Sequence, residues 1–232
     1  MHVWLADLTG LAARRADLYS LLSVDEREGA KRYRTRQARE TFELTRGLLR
    51  MLLARYLDLN PPDILFTRSS AGKPRLEAET DLTFSVAHCE GMALLAVARG
   101  RAVGVDIERI DRPVNVEALR PMLCSDPIDG AVESYVRAWT HMEAQVKARG
   151  EAVSLTGQTP RECWPVKDLE LLFPYVASLC ASGDGWSYQL GELPEDWLST
   201  SRLRRSSSIP VPVPAALPAP PFVPPKLRSI AK

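Results

Sequence analysis

The sequence predicts an α/β protein of the α+β kind, assembled from two halves that each join a long helix to short strands. Three observations predict it. Two segments, one following Ser23 and one spanning 132–149, carry apolar residues at three- and four-residue spacing. Short runs that alternate apolar and polar residues precede and follow them. The end of the chain changes character, with eight prolines between Pro210 and Pro225 and no acidic residue after Asp196. At 232 residues, 45% of them hydrophobic and 25% charged, the chain can bury the core of one large or two small domains. A formal net charge of +1 gives no global field for nucleic acid or a membrane, so charge specificity has to be local.

Taken in order, Met1–Leu8 alternates as an opening strand. Ser23-Val-Asp-Glu26 has the spacing of a capping box, with Ser23 as N-cap and Glu26 at the third helical position. The spacing of Phe42, Leu49, Leu52, Leu53 and Tyr56 predicts one long helix from there, stopping before Asn60-Pro61-Pro62. Ile64–Thr67 reads as a short strand leading to a turn at 69–74. Leu82–His88 and Met92–Arg99 predict two strands around Cys89-Glu-Gly91, and Arg101–Glu108 a further one. Val132, Tyr135, Trp139, Met142 and Val146 mark the buried stripe of a helix over 132–149. Lys167–Ser178 and Trp186–Leu190 are expected as later strands.

The expected organisation is 1–102, 103–200 and an irregular proline-rich tail over 201–232, because such a stretch forms neither ladder nor helix. The N-terminus lacks the charged and apolar regions of a signal peptide, and no apolar run of about 18 residues suggests a membrane span. Cys89, Cys124, Cys163 and Cys180 show no metal spacing and read as reduced thiols of a cytoplasmic protein.

Candidate chemistry begins with Asp106 and Glu108, two apart on a predicted strand and therefore on one face. Paired carboxylates repel unless a cation or shared proton relieves them, and magnesium needs few protein carboxylates when phosphate and water complete its shell. A solvated strand edge is the commoner reading of such a pair, which alone is a weak signal. Glu143 stands about 40° round the helix from Trp139, at the edge of the apolar stripe. Lys147, four residues on, is either a surface partner of Glu143, which spacing alone favours, or a phosphate contact. From Arg27 to Arg55 nine basic residues face three acidic ones, which suits a polyanion, a nucleic-acid backbone or simply a solvated helix face. Lys73 sits in a Gly-Lys-Pro turn without the spacing of a P-loop, and His88 reads as a neutral hydrogen-bonded imidazole or a phosphate-binding imidazolium.

In order, Arg39-x-x-Phe42-x-x-x-Arg46-x-x-x-Arg50, Gly72-Lys73-Pro74, Phe84-Ser-Val-Ala-His88, Val103-Gly-Val-Asp-Ile-Glu108 and Trp139-Thr-His-Met-Glu-Ala-Gln-Val-Lys147 cover roughly residues 1–160. This series resembles the two-domain, surfactin-synthetase-activating type of 4′-phosphopantetheinyl transferase, the last two motifs forming its specific signature. The resemblance implies two similar α/β halves related by pseudo-two-fold symmetry, and a monomer. It implies transfer of the phosphopantetheine arm of coenzyme A to a serine of an acyl or peptidyl carrier protein, with neither nucleic acid nor membrane as partner. Asp106, Glu108 and Glu143 would hold Mg2+, with Lys147 on the same phosphates and Glu143 as candidate base. Lys31, Arg39, Arg46, Lys73, Pro74 and His88 would take the 3′-phosphate and adenine end. Met142 stands where the family has lysine, which removes a positive charge near the phosphates. Ser85, Ala87 and Cys89 replace asparagine and two serines around His88, and the proline-rich tail takes the place of a closing strand. The alternative reading is a degenerate relative that binds coenzyme A or a carrier with little transfer.

Overall fold

The computed structural model describes residues 1–123, 129–151, 164–193 and Trp197. The expected tail, Cys124 and Cys163 lie outside the described residues. Helices and sheets are combined in the α+β manner, and the chain packs as two compact units. One comprises the described residues of Met1–Trp4 and Phe66–Leu190, the other Leu5–Leu65 with the described residues from Gly191 on. Among the described residues no helix is long and apolar enough to cross a membrane.

Strand β1, His2–Asp7, opens the chain as its alternation predicts. In the second unit it is followed by α1, Arg15–Ser20, and α2, Val24–Ala30. The capping box at the head of α2 is complete, with Ser23 accepting from the Glu26 N–H while Glu26 accepts from the Ser23 N–H. The single long helix expected after Ser23 is two helices. The chain leaves α2 at Lys31, and α3, Arg36–Leu57, starts on its own N-cap, Thr35, whose side chain accepts from the Ala38 N–H. Asp58, at φ 53°, ends α3 in the left-handed region just before the prolines. Gly47 lets α1 lie against α3, since a Cβ there would stand 2.6 Å from the Leu18 carbonyl oxygen.

In the first unit β2, Phe66–Arg68, and β3, Pro74–Leu76, form a hairpin that starts two residues later than the expected Ile64. Strands β4, Leu82–Cys89, and β5, Met92–Arg99, pair antiparallel around Glu90-Gly91. Strand β6, Val103–Arg109, follows, then the short α4, Val116–Leu119, and α5, Val132–Arg149. The expected strand over 167–178 is broken into β7, Val166–Leu169, and β8, Tyr175–Ala181, because the segment holding Pro174 turns instead of continuing the ladder. Strand β9, Gln189–Glu192, begins later than expected. The sheets have orders β4-β5-β1-β9 and β6-β8-β7.

Helix α5 matches its predicted bounds and part of its predicted buried face: Tyr135 and Val146 are buried, Trp139 and Met142 half-buried and Val132 exposed. A second row, Val136, Thr140, Ala144 and Ala148, is buried at four-residue spacing. The reason is a close approach of backbones. A Cβ on Gly104 of β6 would meet the Ala144 carbonyl oxygen at 2.0 Å and the Ala148 nitrogen at 2.3 Å. Small residues, not large ones, therefore mark the contact.

Candidate functional site

Strand β6 pairs antiparallel with β8, setting Asp106 opposite Ser178 and Glu108 opposite Val176. Helix α5 lies on the same strands, pinned by a buried 2.7 Å hydrogen bond between the Thr140 and Ser178 hydroxyls. Because Gly104 brings the helix backbone down onto β6, the residues beside Ala144 and Ala148 arrive at the Asp106 side chain. Those residues are Glu143 and Lys147.

Lys147 Nζ stands 2.5 Å from Asp106 Oδ1 and 3.8 Å from Glu143 Oε2. The surface i,i+4 pair that spacing favours is thus the longer contact, and the shorter one crosses from helix to strand. Asp106 is 5% exposed, and its second oxygen, Oδ2, is buried with no hydrogen-bond partner. Burial pushes the Asp106 carboxyl up to about 6, with Glu143 and Glu108 adding to the rise and Lys147 opposing it. Both neighbouring acids therefore lie close enough to be felt.

Glu108 is engaged elsewhere. Its Oε2 accepts from the Cys89 thiol at 3.4 Å and from Arg112 Nη2 at 3.4 Å, and the same Arg112 nitrogen lies 3.1 Å from Cys89 Sγ. Glu90, at φ 25° in the turn between β4 and β5, pairs with Arg112 and Arg109. Burial, with Glu108 nearby, raises the Cys89 thiol to about 11, so it is held as a protonated donor. Neighbouring protein atoms and the charge of Lys147 hold the His88 imidazole below its ordinary value, which favours the neutral form.

Lys73 approaches from the β2–β3 hairpin, where Pro74 opens β3. Its ammonium donates to the carbonyls of Val103 at 3.0 Å and Lys147 at 2.5 Å, tying the hairpin to β6 and α5. Lys31, Arg39 and Arg46 belong to the other unit. Lys31 pairs with Glu28 at 2.7 Å, and Arg46 lies 3.3 Å from Glu26 and over the Phe42 ring. Arg39 keeps a buried Nε–H with no acceptor.

Among the described residues no three His, Cys, Asp or Glu side chains stand together as a ready-made ligand set. The three acids named by the motifs are each paired with one of the protein's own cations: Lys147 with Asp106 and Glu143, Arg112 with Glu108. The donor chemistry nonetheless suits a hard cation. An unpartnered buried carboxylate oxygen is a costly feature that an oxygen-seeking ion relieves, and magnesium needs few such ligands. The sequence reading gave no role to Gly104, Thr140 with Ser178, or Arg112, and named Cys89 only as a replacement beside His88. Gly104 and Thr140 lay inside recognised motifs. The contacts Cys89–Glu108, Cys89–Arg112 and Thr140–Ser178 join residues 19 to 38 apart in sequence, for which no local signal exists.

No family model matches the chain. It is similar to 4′-phosphopantetheinyl transferase HetI of Nostoc, 30% identical over 211 residues that cover 80% of this chain and 89% of that protein. It is also similar to 4′-phosphopantetheinyl transferase Sfp of Bacillus subtilis, 24% identical over 59% of this chain and 63% of that one. A phosphopantetheinyl transferase of Thraustochytrium is 31% identical over 51% of this chain and 43% of its own length.

Proposed function

The chain belongs to the 4′-phosphopantetheinyl transferase family, and from that membership we propose its reaction: transfer of the 4′-phosphopantetheine group of coenzyme A to a carrier-protein serine. The acceptor is an apo acyl or peptidyl carrier protein, the second product is 3′,5′-ADP, and the reaction is magnesium-dependent. One observation carries the reading to this site. A buried aspartate keeps an oxygen without a partner where a second carboxylate and a lysine converge on it.

Asp106 and Glu143 would hold the ion, and Glu108 would join them on leaving Arg112. Bound there, magnesium would neutralise charge on the pyrophosphate and polarise the phosphorus under attack. The chain's own residues do the rest by positioning and proton handling. The serine oxygen forms a bond to the β-phosphorus while the bond from that phosphorus to the bridging oxygen of 3′,5′-ADP breaks. Glu143, 16% exposed at its side chain, accepts the serine proton directly or through one water. Lys147 donates to the phosphate oxygens as negative charge is redistributed toward the leaving group. Gly104 and the Thr140–Ser178 bond keep α5 seated so that these groups stay within reach of Asp106.

The test is a mass measurement. An apo carrier protein mixed with coenzyme A, magnesium and this chain is expected to gain one phosphopantetheine. No gain at any magnesium concentration, with carriers of both the acyl and the peptidyl kind, would overturn the reaction. A gain that persists after removal of all divalent cations would overturn the metal requirement alone.

A further inference from the structure

The acidic site contains a cation of its own. Lys147 Nζ lies 2.5 Å from Asp106 Oδ1 and 3.8 Å from Glu143 Oε2, in the position where two adjacent carboxylates need a counter-charge. A single ammonium neutralises only half of that pair. It is a point charge on a four-carbon stem, reaching Oδ1 and leaving Asp106 Oδ2 buried and unpartnered. The main chain of Lys147 is fixed, since Lys73 donates to its carbonyl oxygen at 2.5 Å and Ala148 packs on Gly104. The side chain is not fixed to the same degree, being 30% exposed against 7% for Asp106. The geometry is that of a short-range tether: a rigid anchor, a rotatable arm and a charged tip parked on a ligand atom.

Resting on the magnesium reading above, we propose that Lys147 is a tethered counter-ion that exchanges partners. It occupies the Asp106–Glu143 pair while no polyanion is present, and it moves onto a phosphate oxygen when a pyrophosphate-bearing ligand arrives. Two positive charges sharing Asp106 Oδ1 repel each other at contact distance, so the parked ammonium weakens divalent-cation binding to the free protein. A pyrophosphate removes that obstacle by giving the ammonium a second partner. Cation and ligand then bind cooperatively, and the coupling is reciprocal.

The experiment measures binding of Mn2+, by its free-ion resonance signal, to the full chain with and without coenzyme A. Wild type is expected to bind Mn2+ about tenfold more tightly when coenzyme A is present. Lys147→Met is expected to bind Mn2+ alone about tenfold more tightly than wild type does, and to lose most of the tightening by coenzyme A. Lys147→Gln, which keeps part of the stem, is run beside it, and thermal melts of both variants check that they fold. Should neither variant fold, wild type still decides. Coenzyme A affinity has to rise with Mn2+ by the same factor, and an absence of coupling overturns the proposal. A Lys147→Met protein that binds Mn2+ no better than wild type overturns it too. Failure of every form to bind Mn2+ removes the proposal together with the metal reading, while carrier mass gain in the same preparation shows that the transferase reading stands apart.

Discussion

Two ion-pair networks of this protein are built from similar parts and finished differently. In the unit holding α2 and α3, Arg50 is 2% exposed at its side chain, yet both its Nε and its Nη1 find acceptors. Its Nε donates to Glu26 Oε2 at 2.5 Å, and its Nη1 donates to the carbonyls of Pro61 at 2.7 Å and Ile64 at 3.0 Å. Glu26 in turn accepts from the Ser23 N–H and forms an ion pair with Arg46. In the other unit Asp106 is as deeply buried but is left with one oxygen unpartnered and a single lysine for company. The Arg50–Glu26 pairing is a structural staple, because both buried groups have recovered much of what they lost on leaving water. A buried carboxylate oxygen left open carries a cost that a ligand can remove, and beside a second acid and a lysine it points to a site.

Substitutions at the two aspects of this contrast should separate. The largest effect is expected on turnover: Asp106→Asn should lower carrier modification on the order of 10³-fold. Its folding stability near neutral pH should equal or exceed that of wild type, since burial disfavours the charged form of Asp106. Arg50→Met should do the reverse. Losing one member of a buried, hydrogen-bonded pair costs about 3 kcal/mol here, at the low end because Arg46 still faces Glu26. Residual folded protein should retain turnover. Urea denaturation and the carrier mass assay, run on both variants, check the pair. A stability loss for Asp106→Asn matching that of Arg50→Met would erase the distinction between staple and site.

What holds the open network in place is the seating of α5, and this is where sequence and structure part. The helix over Val132–Arg149, the capping box at Ser23 and the β4–β5 turn at Glu90-Gly91 were legible because each is a local pattern. The break at Lys31–Thr35 was not, since no glycine or proline lies within those five residues. The break before Tyr175 could have been read from Pro174. Asp106, Glu108, Glu143 and Lys147 were legible as an ordered motif. The contact that organises them spans the 41 residues between Asp106 and Lys147 and follows from close packing at Gly104. Gly104→Ala tests that cause. An added Cβ 2.0 Å from the Ala144 carbonyl oxygen has only backbone to push against, so a loss of about 2–3 kcal/mol is expected in urea denaturation. Turnover should fall with it, as α5 lifts Glu143 and Lys147 away from Asp106. An unchanged denaturation midpoint would show that the helix is not held by this contact.

Lys73 offers the smallest and most specific probe, because among the described residues its ammonium is held by carbonyls and not by a carboxylate. Burial, with Arg75 and Lys147 adding to it, lowers its ammonium from 10.5 to about 8. In the unfolded chain this lysine takes its proton below about 10.5, and in the folded chain only below about 8. Between those values the unfolded state binds more protons, so this group makes stability rise with pH through that window. Below about 8 both states are protonated and the cost of the buried charge is present in full, offset in part by the two carbonyls. Lys73→Met removes the titration. Wild type should therefore gain on the variant as pH is raised from 8 to 10, and the two should run parallel below pH 7, with urea midpoints at each pH as the readout. A difference that stays constant across the whole range would mean that the ammonium is as well solvated in the folded protein as in the unfolded chain. The hairpin would then not seal the base of α5 in the way the two hydrogen bonds indicate.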